Sequence, residues 1–319
     1  MDIKSKFRNV LMLFALSCCW GPSFLFIKLA IVELPPSTLV FSRLLIGVAI
    51  LYTVLIFKGE RLSEYAHHWK HFVVMGFFST ALPFSLISLG EKTIPSSLAA
   101  IINSTTPIFT ALLAHNFIAS ERLSASRIIG VLLGFIGISV VFSPALRGEF
   151  QHHIFGSMMV LVAASSYAVA MVYGRRNTSE IPSLVGATGQ LMAASFMLLP
   201  LSLFYDKAYT FPVPSLQAMA GVLGLGIFGT AIAFVLYFQI MKSAGASFLS
   251  TATLLFPVIG IILGVVFLDE EVRANAYIGC ALILAGLAIA NQLLPTRLYL
   301  ALGQVAIRAR GLLPGSGQT

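Results

Sequence analysis

The sequence predicts an all-α polytopic membrane protein, with ten transmembrane helices arranged as two inverted five-helix repeats. Three observations lead there. The 319 residues are 58% hydrophobic and only 10% charged, whereas soluble domains average about 25% charged. So few charges cannot cover a soluble fold of this size, which excludes a soluble enzyme, a disordered chain and a disulfide-rich secreted module. The apolar residues gather into runs long enough to cross hydrocarbon, and the two halves of the chain match at a nearly constant offset.

The runs lie at 9–31, 36–57, 71–90, 94–118, 125–143, 153–174, 183–204, 214–238, 246–268 and 274–293. A helical span needs roughly 20 mostly apolar residues. None of the runs alternates with period two, and each is too long for a buried strand. A transmembrane β-barrel would show segments about half this length. The first run follows Lys4, Lys6 and Arg8 as a secretory leader does. It continues too far for a leader's core and lacks a small-x-small cleavage site. Cys18, Cys19 and Cys280 all fall inside runs, so no disulfide is expected.

Lys and Arg set the orientation, because they are retained on the cytoplasmic side. With a cytoplasmic N-terminus, only Lys92, Arg147, Lys207 and Arg273 fall outside. Lys28 and Arg43 lie within spans, and all the rest of the 20 bases fall inside. Both termini are therefore expected in the cytoplasm, residues 1–8 as one tail and 294–319 as a basic second one. The formal charge of +8 follows from this topology and needs no nucleic-acid partner.

The repeat appears when the sequence is shifted by 150. Gly76, Phe78, Thr80, Ala81, Phe84 and Leu86 then fall on Gly226, Phe228, Thr230, Ala231, Phe234 and Leu236. Lys92 falls on Lys242, Ser97 on Ser247 and Pro107 on Pro257. Near the start of each half the shift is 147, pairing Trp20 with Tyr167, Lys28 with Arg175, Pro35 with Pro182 and Arg43 with Gln190. The repeats are placed at 9–148 and 149–293. Five spans per half is an odd number, so the second half must enter the membrane upside down, an arrangement recurrent in transporters.

These features resemble the drug/metabolite transporter superfamily, in its ten-span EamA-like branch. The resemblance rests on Trp20-Gly21-Pro22-Ser23-Phe24 followed by Lys28, on Pro35 with Arg43, on Pro107-Ile108-Phe109, and on Glu121-Arg122-Leu123. In the second half it rests on Pro257, Asp269-Glu270-Glu271 and Gly279. It covers about residues 9–293. It implies inverted repeats in a bacterial inner (plasma) membrane or its equivalent, and a central cavity lined by spans 1–4 and 6–9, with spans 5 and 10 peripheral.

All twelve carboxylates fall in connections or tails, so a buried carboxylate relay of the kind proton pumps keep in their spans is not expected. His115 alone approaches that role. The bases are more telling. Arg43, within span 2, reads either as a cavity residue that attracts an anionic group or as a structural donor to helix carbonyls. Lys28 reads either as a substrate contact or as a residue snorkelling to the headgroups. Asn103 and Thr106, before Pro107, and Gln190 and Gln239 are the other polar candidates, with Trp20, Tyr167 and Tyr237 as apolar walls. Pro107 and Pro257 are candidate hinges, with Asn103-Ser104-Thr105-Thr106 and Ser250-Thr251-Ala252-Thr253 positioned to satisfy the carbonyls they free. Gly130, Gly134, Gly279 and Gly286 permit close helix approach within or between protomers.

No cofactor or metal motif is present. His67, His68 and His71 have no soft ligand beside them, and no enzyme is expected. The expected function is secondary transport, as exporter or exchanger, of small metabolites. Amino acids or related carboxylate-bearing compounds lead, carried by alternating access in a monomer or homodimer whose partners are a small-molecule substrate and the lipid bilayer. The alternatives are multidrug efflux of lipophilic cations and a membrane-embedded lipid-modifying enzyme.

Overall fold

The structure, a computed structural model, describes residues 3–118, 125–146 and 151–290. The tail at 294–319 and the Glu121-Arg122-Leu123 motif lie outside the described residues. Every regular element among the described residues is helical. Eight helices are long and apolar enough to cross a membrane, and two shorter apolar helices, Ile128–Val141 and Ala274–Gly286, occupy the fifth and tenth runs. The protein is a polytopic membrane protein.

Span 1 is α1 (Ile3–Trp20) and α2 (Ser23–Ala30), so helix begins inside the stretch read as a tail. They meet at Gly21-Pro22, where proline brings no N–H. Span 2 is α3 (Pro36–Phe57), with a proline in the first turn, where no N–H is needed. Span 3 is α4 (Trp69–Gly76) and α5 (Leu82–Gly90), and span 4 is α6 (Ser96–Asn103) and α7 (Thr106–Phe117). Next come α8 (Ala125–Leu146), α9 (Gln151–Asn177) and α10 (Ser183–Pro200). Span 8 is α11 (Leu216–Gly226) and α12 (Ala233–Ala244), span 9 is α13 (Ala246–Ser250) and α14 (Phe256–Leu268), and α15 (Ala274–Ala290) is last.

Spans 3 and 8 are each interrupted by a π-helical turn, Phe77–Ala81 and Ile227–Ile232. A π turn widens the ring and leaves a carbonyl without its usual partner. Pro83, which has no N–H, follows the first. In the second, the Thr230 hydroxyl donates five residues back to the Leu225 carbonyl at 2.8 Å. Spans 4 and 9 each leave the α-helix at mid-span, span 4 for a turn at 104–105 and span 9 for a tighter 3-10 helix, Thr251–Leu255. Pro107 and Pro257 were expected to kink continuous helices, but each sits in the first turn of a new helix. Hydroxyls of Ser104, Thr105 and Thr106 donate to carbonyls three residues back, at 2.6–2.7 Å. Ser250, Thr251 and Thr253 do the same at 2.6–2.9 Å.

Each span of the first half packs against the second half. α1 and α2 lie on α12 and α11, α3 on α10, α5 on α9, α6 on α14, and α8 on α15. Two apolar clusters form the core, and Trp20 and Tyr167 touch both. The connections at 31–35, 91–95, 206–215 and 269–273 share one face, predicted as outer by the charge bias. There carboxylates cap helix N-termini across the two halves, where the helix dipole favours a negative charge. Glu33 accepts from the Ser215 amide and hydroxyl at the start of α11, and these bonds hold its carboxyl below the usual range. Asp206 accepts from the Thr38 amide and hydroxyl at 2.8 and 2.9 Å. Glu270 accepts from the Ser96 and Ser97 amides at 2.7 and 3.0 Å.

The α8–α15 pair is joined backbone to backbone. A Cβ on Gly279 would lie 2.7 Å from the Gly137 carbonyl oxygen, and one on Gly137 would lie 2.8 Å from that of Gly279. At Gly134 the obstacle is only the Ile108 side-chain tip. Gly279→Ala is expected to cost about 1–3 kcal/mol through overpacking. Gly134→Ala should cost less, because its obstacle is a side chain rather than backbone and alanine favours helix by about 1 kcal/mol. Thermal unfolding of the two variants in detergent checks the difference.

Candidate functional site

The π turn of span 8 organises the centre of the molecule. It presents the Gly229 carbonyl, which accepts from Trp20 Nε1 at 3.1 Å and from Arg43 Nη2 at 3.1 Å. Arg43 Nε donates to Thr230 Oγ1, also at 3.1 Å. The guanidinium lies over the Phe84 ring, 3.8 Å from its centre, a cation–π contact strengthened by desolvation. Arg43 is 2% exposed. All these partners are neutral, so its charge is solvated by dipoles and a ring without a carboxylate.

Beside this node lies a small, partly open cavity. Trp20, Phe24, Phe84, Tyr167 and Phe256 supply aromatic walls. Arg43, Ser23, Asn103, Thr106 and Thr253 supply the polar positions, and no carboxylate lines it. Both halves contribute. Asn103 is buried, and its Oδ1 has no hydrogen-bond partner. Such an acceptor is costly unless water or a bound molecule meets it.

The cavity thus gathers Trp20, Arg43, Asn103, Thr106 and Tyr167 of the residues predicted to bind substrate. The others lie elsewhere. Lys28 is half-buried and donates to the carbonyls of Glu91 and Ile94 at 2.5 and 3.0 Å, so it neither snorkels nor enters the cavity. Gln190 is wholly buried in α10, and neither amide atom has a partner. Tyr237 packs against Trp20 and Phe234, with ring centres 6.0 and 5.7 Å apart. Gln239 is exposed and lines a separate lateral groove with Lys58 and Glu60. His115 lies exposed toward the end of α7. Among the described residues no group of His, Cys, Asp and Glu is arranged to hold a metal, and His71 Nδ1 is paired with the Tyr173 hydroxyl at 2.8 Å.

Sequence reasoning missed Gly229 and Thr230. Thr230 matches Thr80 at the 150 shift, but a π turn has no residue signature. It also missed Phe84, one of many phenylalanines.

The profile of the EamA-like transporter family matches residues 8–143 and again 154–292. The chain is 26% identical over 284 residues to "Uncharacterized transporter YoaV" of Bacillus subtilis, covering 88% of this chain and 95% of that protein. It is 26% identical over 265 residues to "Uncharacterized inner membrane transporter YedA" of Escherichia coli, covering 81% and 84%. A solved crystal structure shares the fold at a TM-score of 0.66 and 24% identity, covering 90% of this chain and 97% of that one.

The shared acceptor makes a coupled pair. Trp20→Phe keeps the ring and deletes one donor, at a cost of about 1 kcal/mol, and Arg43→Met deletes the other at a smaller cost, because it also removes an uncompensated buried charge. The double variant, which orphans the Gly229 carbonyl, should lose more than the sum. A double-mutant cycle by thermal unfolding in detergent reads this, and strict additivity would refute the shared node.

Proposed function

We propose, because the chain belongs to the EamA-like transporter family, that it is a secondary transporter of small carboxylate-bearing metabolites, amino acids foremost, working as exporter or exchanger. The observation that carries the substrate class is Arg43, a buried cation on the wall of the cavity, held by neutral partners only. A buried charge without a counter-charge is costly, so the site favours a ligand that brings the anion. The guanidinium has five N–H donors, and its bonds to Thr230 and Gly229 occupy Nε and Nη2. Asn103 and Thr106 would orient the polar remainder, and Trp20, Tyr167 and Phe256 would hold the apolar part.

The reading includes alternating access between two inverted repeats. Its support is paired geometry. Lys28 donates to the Glu91 carbonyl, and Arg175, its match, donates to the Met241 carbonyl, the match of Glu91, at 3.1 Å. The π turns of spans 3 and 8 and the breaks of spans 4 and 9 recur at the same offset, while a third π turn, Leu201–Tyr205, has no match. Pro107 and Pro257 would let spans 4 and 9 bend at these breaks. The membrane we assign is a bacterial inner (plasma) membrane, with both termini cytoplasmic, the substrate and lipid as partners, and a monomer or homodimer.

Efflux of lipophilic cations is the second reading, favoured by the five aromatic walls and opposed by Arg43. Counterflow in proteoliposomes across a metabolite panel tests both. Wild-type protein should accumulate carboxylate-bearing compounds. Arg43→Ala should lower that uptake about 10- to 100-fold, the equivalent of one hydrogen-bonded charge contact, and should spare any lipophilic cation carried. Selective loss of cation counterflow would reverse the assignment.

A further inference from the structure

Glu91 ends α5 at the predicted outer face. Its place in a connection suggests a solvated surface acid, but it is wholly buried. Neither carboxylate oxygen has a hydrogen-bond partner. Lys28, the nearby base, spends its ammonium on the backbone carbonyls of Glu91 and Ile94. Glu270 faces the same corner with its carboxylate committed to the α6 N-terminus. On another side Gly90 meets Gly156 of α9 backbone to backbone, where an added Cβ would stand 2.8 Å from a carbonyl oxygen.

Other charged or titratable groups on the elements packed here are Lys92, His153 and Tyr167 on α9, Asp269, Glu271 and Arg273 beside Glu270, and Arg43 on α3, over Phe84 two turns deeper. Burial and the negative charge of Glu270 outweigh the pull of Lys28 and hold the Glu91 carboxyl well above the ordinary carboxylate range. A neutral acid tolerates such a place, whereas an ionised one without partners does not.

This corner lies next to the cavity along α2 and α5. Phe84 and Ile87 of α5, and Ser23, Phe24 and Ile27 of α2, line the cavity within two turns of Glu91 and Lys28. The other face carries no matching acid, since Met241 stands at the equivalent position, its carbonyl likewise held by a base, Arg175.

We propose that Glu91 is a proton-binding site, whose carboxyl takes up one proton when this face closes around it and releases that proton when the face opens to water. This rests on the reading that the two faces open in turn. The sign follows from linkage. A carboxyl that binds its proton more tightly in the closed state favours closure at low pH, and closure is lost as pH rises through the raised value. The other face has no acid at the equivalent position, Met241, to make the same exchange.

Hydrogen–deuterium exchange of the full chain in lipid nanodiscs tests it, with rates corrected for the intrinsic pH dependence of exchange. In wild type, peptides covering 88–96 should lose protection by about tenfold per pH unit from the ordinary carboxylate range up to the raised value, and level off above it. Peptides covering 238–246 should show no such change. Glu91→Gln, a mimic of the neutral acid, should keep 88–96 protected at every pH and lose an infrared carboxylic-acid band present in wild type at neutral pH. A flat wild-type profile overturns the proposal without any variant. So does pH dependence that persists in Glu91→Gln, or protection that follows sodium at fixed pH. Absent counterflow would remove the transport reading while the exchange profile still decides the proton site.

Discussion

A backbone polar group inside a bilayer must find its partner within the protein, because the surrounding hydrocarbon offers none. The fold departs from regular helix at several places, and the departures set where its polar side chains sit. The Gly21-Pro22 joint lies beside Trp20, which reaches the Gly229 carbonyl freed by the π turn of span 8. The breaks in spans 4 and 9 carry runs of hydroxyls that return to their own carbonyls. The Ser166 hydroxyl donates to the Phe78 carbonyl in the π turn of span 3, at 2.7 Å. Polar chemistry at the core is thus a by-product of interrupted helices, and the cavity lies among those interruptions.

This explains what could be read from the sequence. Length and apolarity are local properties, so the runs, their order and the scarcity of charge between them were visible. The offset of 147–150 was visible through Gly, Pro and bases, which tolerate few replacements at special backbone positions. Arg43 and Asn103 stood out because a base or amide amid apolar residues is rare. What was hidden depended on the third dimension. The split of spans 4 and 9 into separate helices, with each proline opening the second, required knowing that Ser104 and Thr105 form a turn. The burial of Glu91 required knowing that α9 and the 269–273 connection close over it. The displacement of Gln190, Tyr237 and Gln239 from the cavity is a matter of helix rotation, which apolar periodicity specifies poorly in helices apolar on nearly every side.

The two faces are finished differently. On one, Glu33, Asp206 and Glu270 each reach from one half to a helix N-terminus of the other. On the opposite face the described contacts between halves are softer, such as the Asn9 amide oxygen accepting from the Ser243 hydroxyl at 3.0 Å. Charge-assisted bonds to helix ends are short and directional, so one face is fastened by a few discrete bonds and the other by packing. Matching halves need not make matching faces: Glu91 stands against Met241 and Arg43 against Gln190.

The contact between α8 and α15 brings glycine to glycine at two places, Gly137 against Gly279 and Gly130 with Gly134 against Gly286, where α5 and α9 do so only at Gly90 and Gly156. Rotamers are how packed surfaces slip past one another, and Gly137 and Gly279 have none to exchange. The pair therefore behaves like the spine of a book. If the halves rock as proposed, the pages would be thumbed at π turns, split spans and hydroxyl caps, while the binding itself kept its register.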